Sequence, residues 1–358
     1  MVSDISIVDI AKIAKVSPST VSRALTGSGY VSAETKKRIM KVVNSYDYQP
    51  KQYKKRSVRS IKNSVIGIVV SDLNNIFFQQ IINSITSVFD QHQIETIICN
   101  SDESIQREVR ILSTLQQFQV DGIIISPTSE TAEYNTEFLM ELDGAGMHVI
   151  LVDRDVKGIA MNGVFQETLN GTFSAINTLI SLGHRNIAII AGPTTSKPGL
   201  DRLNGYLDSF KTHSIPINPE YILYGDFKLK SGYELTAQLL KQHPEVTAVF
   251  ASNNLMALGS LHAIYDAGLS IPDDIAFISC GTLDQFDLYN ERKISVIMQP
   301  TDMMGEECAK ILLERMMSTK KKAPAKRISF DSTLELRGSE AFPIHRLSEK
   351  HESQTDGA

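Results

Sequence analysis

The sequence predicts a small all-α headpiece joined to a larger α/β body of two doubly wound lobes. Three observations carry that prediction. The 358 residues are too many for one small core, so two or three domains are expected. Charge is divided unevenly: residues 1–62 hold thirteen Lys/Arg against four Asp/Glu, a net +9, whereas residues 63–358 hold 23 against 37, a net −14. The apolar pattern also changes, from helical spacing near the N-terminus to short continuous runs alternating with amphipathic stretches from Val65 onward.

In the headpiece, Asp9 can start a first helix through Ile10, Ala11, Ile13 and Ala14, with Val16 in a short turn after it. Ser17 followed by Pro18 is a strong start signal, because serine caps well and proline suits the first helical position. The helix Pro18 to Leu25 buries Val21, Ala24 and Leu25 and leaves Ser19, Thr20, Ser22 and Arg23 on its open face, until Gly27, Ser28 and Gly29 end it. A third helix runs from about Ser32 with Ile39, Val42 and Val43 inward, and Tyr46 and Tyr48 close the unit before Pro50. This is the helix-turn-helix plan. The second helix, small and polar outside, can enter a major groove about 12 Å wide. Its N–H groups and positive dipole end face phosphate. A three-helix structural domain would show the same apolar pattern, but the +9 charge favours a polyanion such as DNA. Residues 51–62, KQYKKRSVRSIK, form a basic linker, either a spacer or a segment that orders on DNA.

In the body, strands are expected at Val65–Val70, Glu95–Cys99, Gly122–Ser126 and Val149–Val152. A second set lies at Ile187–Ala191, Ile222–Tyr224, Ala248–Ala251 and Ile275–Ser279, with Val296–Met298 later. Helical stretches such as Phe77–His92, Arg107–Phe118, Gly171–Leu182 and Met256–Ala267 lie between them. Continuous apolar strands separated by helices imply parallel sheets covered on both faces. Ligands of such folds sit at the carboxyl ends of the strands, here in the cleft between two lobes. Residues 341–358 are polar and unpatterned after Phe342 and read as a disordered tail. No heptad for a tetramerisation coil is present.

Several function classes are excluded. No apolar run approaches the ~20 residues of a membrane span, and the N-terminus is no signal peptide, so a cytoplasmic protein is expected. Cys99, Cys280 and Cys308 are far apart and lack metal-ligand spacing, as reduced buried thiols would be. The GPTTSKPG stretch lacks phosphate-loop spacing. His184 in LGHR reads as a structural residue before a strand. No enzyme and no cofactor are expected.

The residues also carry a resemblance. DIAKIAKVSPSTVSRALTGSGYVSAETKKRI and YDYQP in the headpiece are joined by VIGIVVSDLNNIFF, DGIIISP, VILVDR and LGHRNIAIIAGP in the body. DRLNGY, GDFKLKSGY, SNNLMALG and IPDDI follow in order. Over about residues 5–340 the chain resembles the lactose-repressor (LacI/GalR) family. The resemblance implies a headpiece over residues 1–50, a hinge over 51–62 and an effector-binding and dimerisation domain over 63–340. The body would look like a periplasmic binding protein, with two Rossmann-like subdomains and crossovers near 164 and 298. A homodimer would read a pseudo-palindromic operator, repressing carbohydrate catabolism genes until a small effector enters the cleft. Pro18 and Ser19 match the family's base-reading positions, Thr20, Ser22 and Arg23 match further DNA contacts of the family, and Ser17, Tyr30 and Thr35 its phosphate contacts. Pro18 cannot hydrogen-bond a base through its side chain, so it would read shape and apolar surface. Lys15 stands where the family often has Gly, so its turn needs a non-Gly residue in the left-handed region. In the hinge, KRSV matches, with Lys55 and Arg56 on DNA and Val58 as a minor-groove wedge.

In the cleft, the resemblance assigns Asn75, Phe77, Arg154, Gln166, Arg202, Phe227 and Asn254 to the effector. Three departures stand out: Gln166–Glu167 for an Asp-Asn pair, Asn253–Asn254 for Asn-Asp, and Gly281 where an Asp is common. With arginines kept and carboxylates lost, an anionic effector is expected, a sugar acid or a sugar phosphate. A neutral sugar and a phosphocarrier-protein co-repressor are the alternatives. A solute-binding protein would share the body fold but need a secretory signal and no basic headpiece.

Overall fold

The computed structural model describes residues 7–26, 31–46, 63–128, 135–283, 293–318 and 324–343. Three helices form the headpiece: α1 (Ile7–Ala14), α2 (Pro18–Thr26) and α3 (Ala33–Ser45). α1 starts two residues before Asp9, which therefore sits in its first turn. Ser17 Oγ accepts the Thr20 N–H at 3.2 Å, and Ser32 caps α3 by accepting from the Thr35 N–H. Ile10, Ala11, Ala14, Val21, Ala24, Ile39 and Val43 close a small core. The turn between α1 and α2 does pass through a left-handed Lys15, at φ +54°.

The body contains two six-stranded sheets. The first lobe holds β1 (Val65–Val70), β2 (Glu95–Asn100), β3 (Gly122–Ile125), β4 (His148–Val152) and β5 (Gly163–Glu167), with helices α4 (Ile76–Gln91), α5 (Ile105–Gln117) and α6 (Thr136–Gly144). The chain then crosses to a second lobe through α7 (Leu169–Ser181). That lobe contains β6 (Ile187–Ala191), α8 (Lys197–Thr212), β7 (Ile222–Tyr224), α9 (Leu229–Gln242), β8 (Ala248–Ala251), α10 (Asn254–Asp266), β9 (Ala276–Cys280) and β10 (Ser295–Met298). After β10 it returns as α11 (Thr301–Met317), packed on α4 and β4. It adds β11 (Arg327–Asp331) to the first sheet and crosses a third time to place β12 (Thr333–Glu335) in the second. The orders are β11-β5-β4-β3-β1-β2 and β12-β10-β9-β8-β6-β7, and every pair is parallel except β10 with β12. The two lobes are therefore interleaved rather than strung in sequence.

The predicted strands are present to within a residue or two at their ends. β5, β11 and β12 are the three that apolar patterning does not reveal. β11 and β12 are edge strands with alternating exposure, and β5 carries Gln166 into a polar interior.

The tail expectation needs correction. Residues 341–343 belong to the body: the Phe342 ring stacks 4.9 Å from the His184 imidazole, and Ala341 N–H bonds the Gly338 carbonyl. Residues 344–358 lie outside the described residues. Cys280 and Cys308 are buried as expected, whereas Cys99 is only partly so.

His184 itself is fully buried, with Nδ1 2.9 Å from Thr247 Oγ1 and Nε2 3.2 Å from the Glu340 carbonyl. Burial pushes its pKa down from 6.5 to about 4. The folded state therefore binds fewer protons than the unfolded state between these values. The stability this site contributes is complete above pH 6.5 and is lost as pH falls toward 4. At pH 5 the loss is about 2 kcal/mol relative to pH 7. The unfolding free energy of the wild type from urea titration should fall by that amount, and His184→Asn should lose this part of the pH dependence. An unchanged pH dependence in the variant contradicts the assignment.

Candidate functional site

The carboxyl ends of both sheets face a shared cleft. From the first lobe, the segment after β1 supplies Asp72, Asn75, Phe77 and Phe78. Glu103 follows β2, Asp153 and Arg154 follow β4, and Gln166 lies on β5. From the second, α8 supplies Pro198 and Arg202, the turn after β7 supplies Phe227, and Asn253 and Asn254 follow β8. Gln299 sits on the crossover after β10. All seven residues assigned from sequence, Asn75, Phe77, Arg154, Gln166, Arg202, Phe227 and Asn254, line this one cavity.

Their local roles differ. Asn75 caps α4, accepting the Phe77 N–H at 3.0 Å. The Phe77 ring belongs to the first lobe's core and meets Phe78 edge-on, so it walls the cleft rather than projecting into it. Asn253 is fully engaged: its Oδ1 accepts the Met256 N–H and its Nδ2 donates to the Phe227 carbonyl, both at 2.9 Å. α9 and α10 approach closely enough for this only because of Gly232 and Gly259. A Cβ on Gly259 would lie 2.0 Å from the Leu229 carbonyl oxygen.

The electrostatics overturn one expectation. The cleft does not lack carboxylates, since Asp72, Glu103 and Asp153 all line it. Glu103 grips Arg154 in a two-pronged pair at 2.6 and 2.7 Å. Burial opposes the Arg154 charge, but Glu103 and Asp153 outweigh it and raise its pKa. Asp153 is buried at φ +65°; burial raises its carboxyl pKa, opposed by Arg154 and Arg202. A relay of amides spans the lobes, with Gln299 Nε2 donating to Gln166 Oε1 at 3.0 Å and Gln166 Nε2 to Asp153 Oδ1 at 2.8 Å. The missed acids each stand within three residues of a strand's carboxyl end. Strand position, more than motif matching, was the signal that could have found them.

Two cleft atoms stand out among the described residues because they are buried with no hydrogen-bond partner: Arg202 Nε and Asn254 Oδ1. Arg154 Nε is in the same condition but lies 3.8 Å from Asp153 Oδ2, so its charge is countered. One donor and one acceptor on cleft-lining residues are thus left without a partner, and burial without a partner is costly.

In the headpiece, α2 presents its first turn outward. Ser17 and Pro18 are exposed, and Ser17 Oγ lies 2.7 Å from Ser19 Oγ and 2.8 Å from Thr20 Oγ1. Arg23 is exposed one turn further on and donates to Ser19 Oγ at 3.4 Å. Ser22 is half-buried beside them, and Thr35 Oγ1 accepts from Ser32 Oγ at 2.8 Å. Tyr30, Lys55, Arg56 and Val58 lie outside the described residues. Among those described, no helix is long and apolar enough to cross a membrane.

Comparison with known proteins matches both parts. Residues 6–51 match the family described as bacterial regulatory proteins, lacI family. Residues 63–334 match periplasmic binding proteins and sugar binding domain of LacI family. The catabolite control protein A of Priestia megaterium is 28% identical, over 87% of this chain and 93% of its own length. The probable HTH-type transcriptional repressor ExuR of Bacillus subtilis (strain 168) is 30% identical, over 89% and 94%. The transcriptional regulator CelR, solved as a complex with cellobiose, superposes with a TM-score of 0.71 at 26% identity, covering 94% of this chain and 99% of that one. The lac repressor dimer bound to operator and the anti-inducer ONPF superposes at 0.64 and 23% identity, over 95% and 100%, which speaks to fold alone.

Proposed function

The chain belongs to the LacI family of bacterial regulatory proteins, and on that premise we propose that it represses carbohydrate-linked genes until a small sugar acid enters its cleft. It is a DNA-binding transcriptional regulator and not an enzyme.

In this reading α2 lies in the major groove. Ser19, Thr20, Ser22 and Arg23 face base edges, Pro18 makes apolar contact, and Ser17, Tyr30 and Thr35 hold phosphates. Lys55, Arg56 and Val58 meet the minor groove. Two headpieces of a homodimer read a pseudo-palindromic site, so anything that moves the lobes moves the headpieces relative to each other.

The observation that carries the effector class is Arg202. Arg154 is already taken by Glu103, which leaves Arg202 Nε, among the described residues, as the cleft guanidinium donor with no hydrogen-bond partner and no paired carboxylate within salt-bridge distance, although its charge still acts on Asp153. A single carboxylate satisfies it, while Asn254 Oδ1 accepts a hydroxyl. A phosphate, carrying nearly two charges, would meet Asp72, Glu103 and Asp153 as well, which disfavours it. A neutral sugar is the second reading, favoured by Asp153 and the Gln166–Gln299 relay, which suit hydroxyl groups.

Thermal-shift measurements on the full-length protein separate them, using uronates, keto-deoxy-sugar acids, sugar phosphates and neutral pentoses and hexoses. A ligand at 100 times its Kd stabilises by about 2.7 kcal/mol, or roughly 5 °C or more for lobes of this size. Sugar acids should give that shift. A shift with neutral sugars alone would sink the sugar-acid reading.

A further inference from the structure

Lys228 precedes α9 in the second lobe, yet its ammonium group reaches the first. Nζ lies 2.7 Å from Asp72 Oδ2 and 2.8 Å from Asp102 Oδ1. The segment that presents it is braced on its own side. Asp226 Oδ1 accepts the Lys228 N–H at 3.0 Å, and Asn253 Nδ2 holds the Phe227 carbonyl. Phe227, at φ +67°, packs so closely on Gly192 that a Cβ there would lie 2.0 Å from its ring. The receiving side is braced too. Asp72 Oδ1 accepts the N–H and Nδ2 of Asn74 at 2.9 and 3.1 Å, leaving Oδ2 for the lysine. Asp72 is buried and Asp102 half exposed, so the ammonium group bridges from the cleft wall to its outer rim. The Lys228 hydrogen bond also holds the Asp102 carboxyl below its ordinary pKa.

We propose that Lys228 is an interlobe clasp: by bridging Asp72 and Asp102 it holds the lobes together across the cleft and sets how readily they part. One ammonium group serves two carboxylates only while the lobes are together; on opening, Lys228 and Asp72 lose that pairing, and Asp102 keeps only Arg107, 3.8 Å away on its own lobe. The Gln299–Gln166 hydrogen bond and the Arg154–Phe227 contact at 5.8 Å remain when the clasp is lost, so its removal loosens the closure without separating the lobes. The inference rests on the cleft being the effector seat, but not on which effector it takes.

Hydrogen exchange of the ligand-free, full-length protein tests it. Lys228→Met should speed exchange of residues 72–78 and 225–229 by about fivefold, the scale of a favourable, partly exposed ion pair, with β3 and β8 unchanged. Asp102→Asn should act in the same direction without touching a buried group, and Lys228→Arg should retain most of the protection. Raising KCl should accelerate the wild-type cleft segments and leave those of Lys228→Met unmoved. Equal exchange at the cleft mouth in wild type and Lys228→Met overturns the clasp. So does acceleration spread evenly into β3 and β8, which would make Lys228 a general stabiliser. No effector is added, so failure here leaves the effector class standing, and failure of the sugar-acid panel leaves the clasp standing.

Discussion

Arg23→Ala should weaken operator binding by about thirtyfold or more while leaving the fold intact. Arg23 is exposed on α2 and supports no core contact, so circular dichroism and the melting temperature should not move. Its guanidinium group is steadied by Ser19 Oγ, which itself sits 2.7 Å from Ser17 Oγ. An arginine that reads a base edge is worth about 1–3 kcal/mol per contact. In the proposed homodimer the substitution is made in both headpieces, which doubles the loss to about 2–6 kcal/mol. Fluorescence anisotropy at fixed salt, on operator and on unrelated DNA, checks it. Operator affinity should fall much further than non-specific affinity. Equal losses on the two DNAs would place Arg23 on phosphate instead.

Arg202→Met should leave operator binding near wild type and remove the response to effector. Arg202 is buried in the cleft, where truncating one partner of a buried charge-assisted pair costs about 2–5 kcal/mol, or about thirtyfold to several thousandfold in effector affinity. The repressor would then stay on DNA at effector concentrations that release the wild type. Arg202→Lys keeps the charge but loses the planar fork, so it should recover part of the affinity for an acid. The measurement is operator release against effector concentration for the three proteins. Release of Arg202→Met at wild-type concentrations would remove Arg202 from the effector site.

The headpiece was legible because its signals are local. Ser17 before Pro18 marks the start of α2, Ser32 caps α3, and the apolar spacing of Ile10, Ala14, Val21 and Ala24 needs no distant partner to be recognised. The runs at Val65–Val70, Ile187–Ala191 and Ala248–Ala251 were equally plain, because a strand buried on both faces is continuously apolar. The seven cleft positions came from resemblance, and they meet because strand ends converge. Sequence did not show which of their groups are free. Asn75 spends its side chain on a cap, and Phe77 spends its ring on the core.

The sequence by itself determined most of the element order, the basic headpiece and the parallel character of the body. Each of these depends on periodicity, capping or composition, which neighbouring residues set among themselves. Only the tertiary structure decided the cleft's charge balance and closure. Glu103 neutralises Arg154 from 51 residues away, and Lys228 reaches Asp72 across 156. Such pairings depend on where two sheets end in space. The headpiece read from its first helices keeps its place, whereas a cleft expected to lack carboxylates has three among the described residues, and Arg202 Nε there has no hydrogen-bond partner.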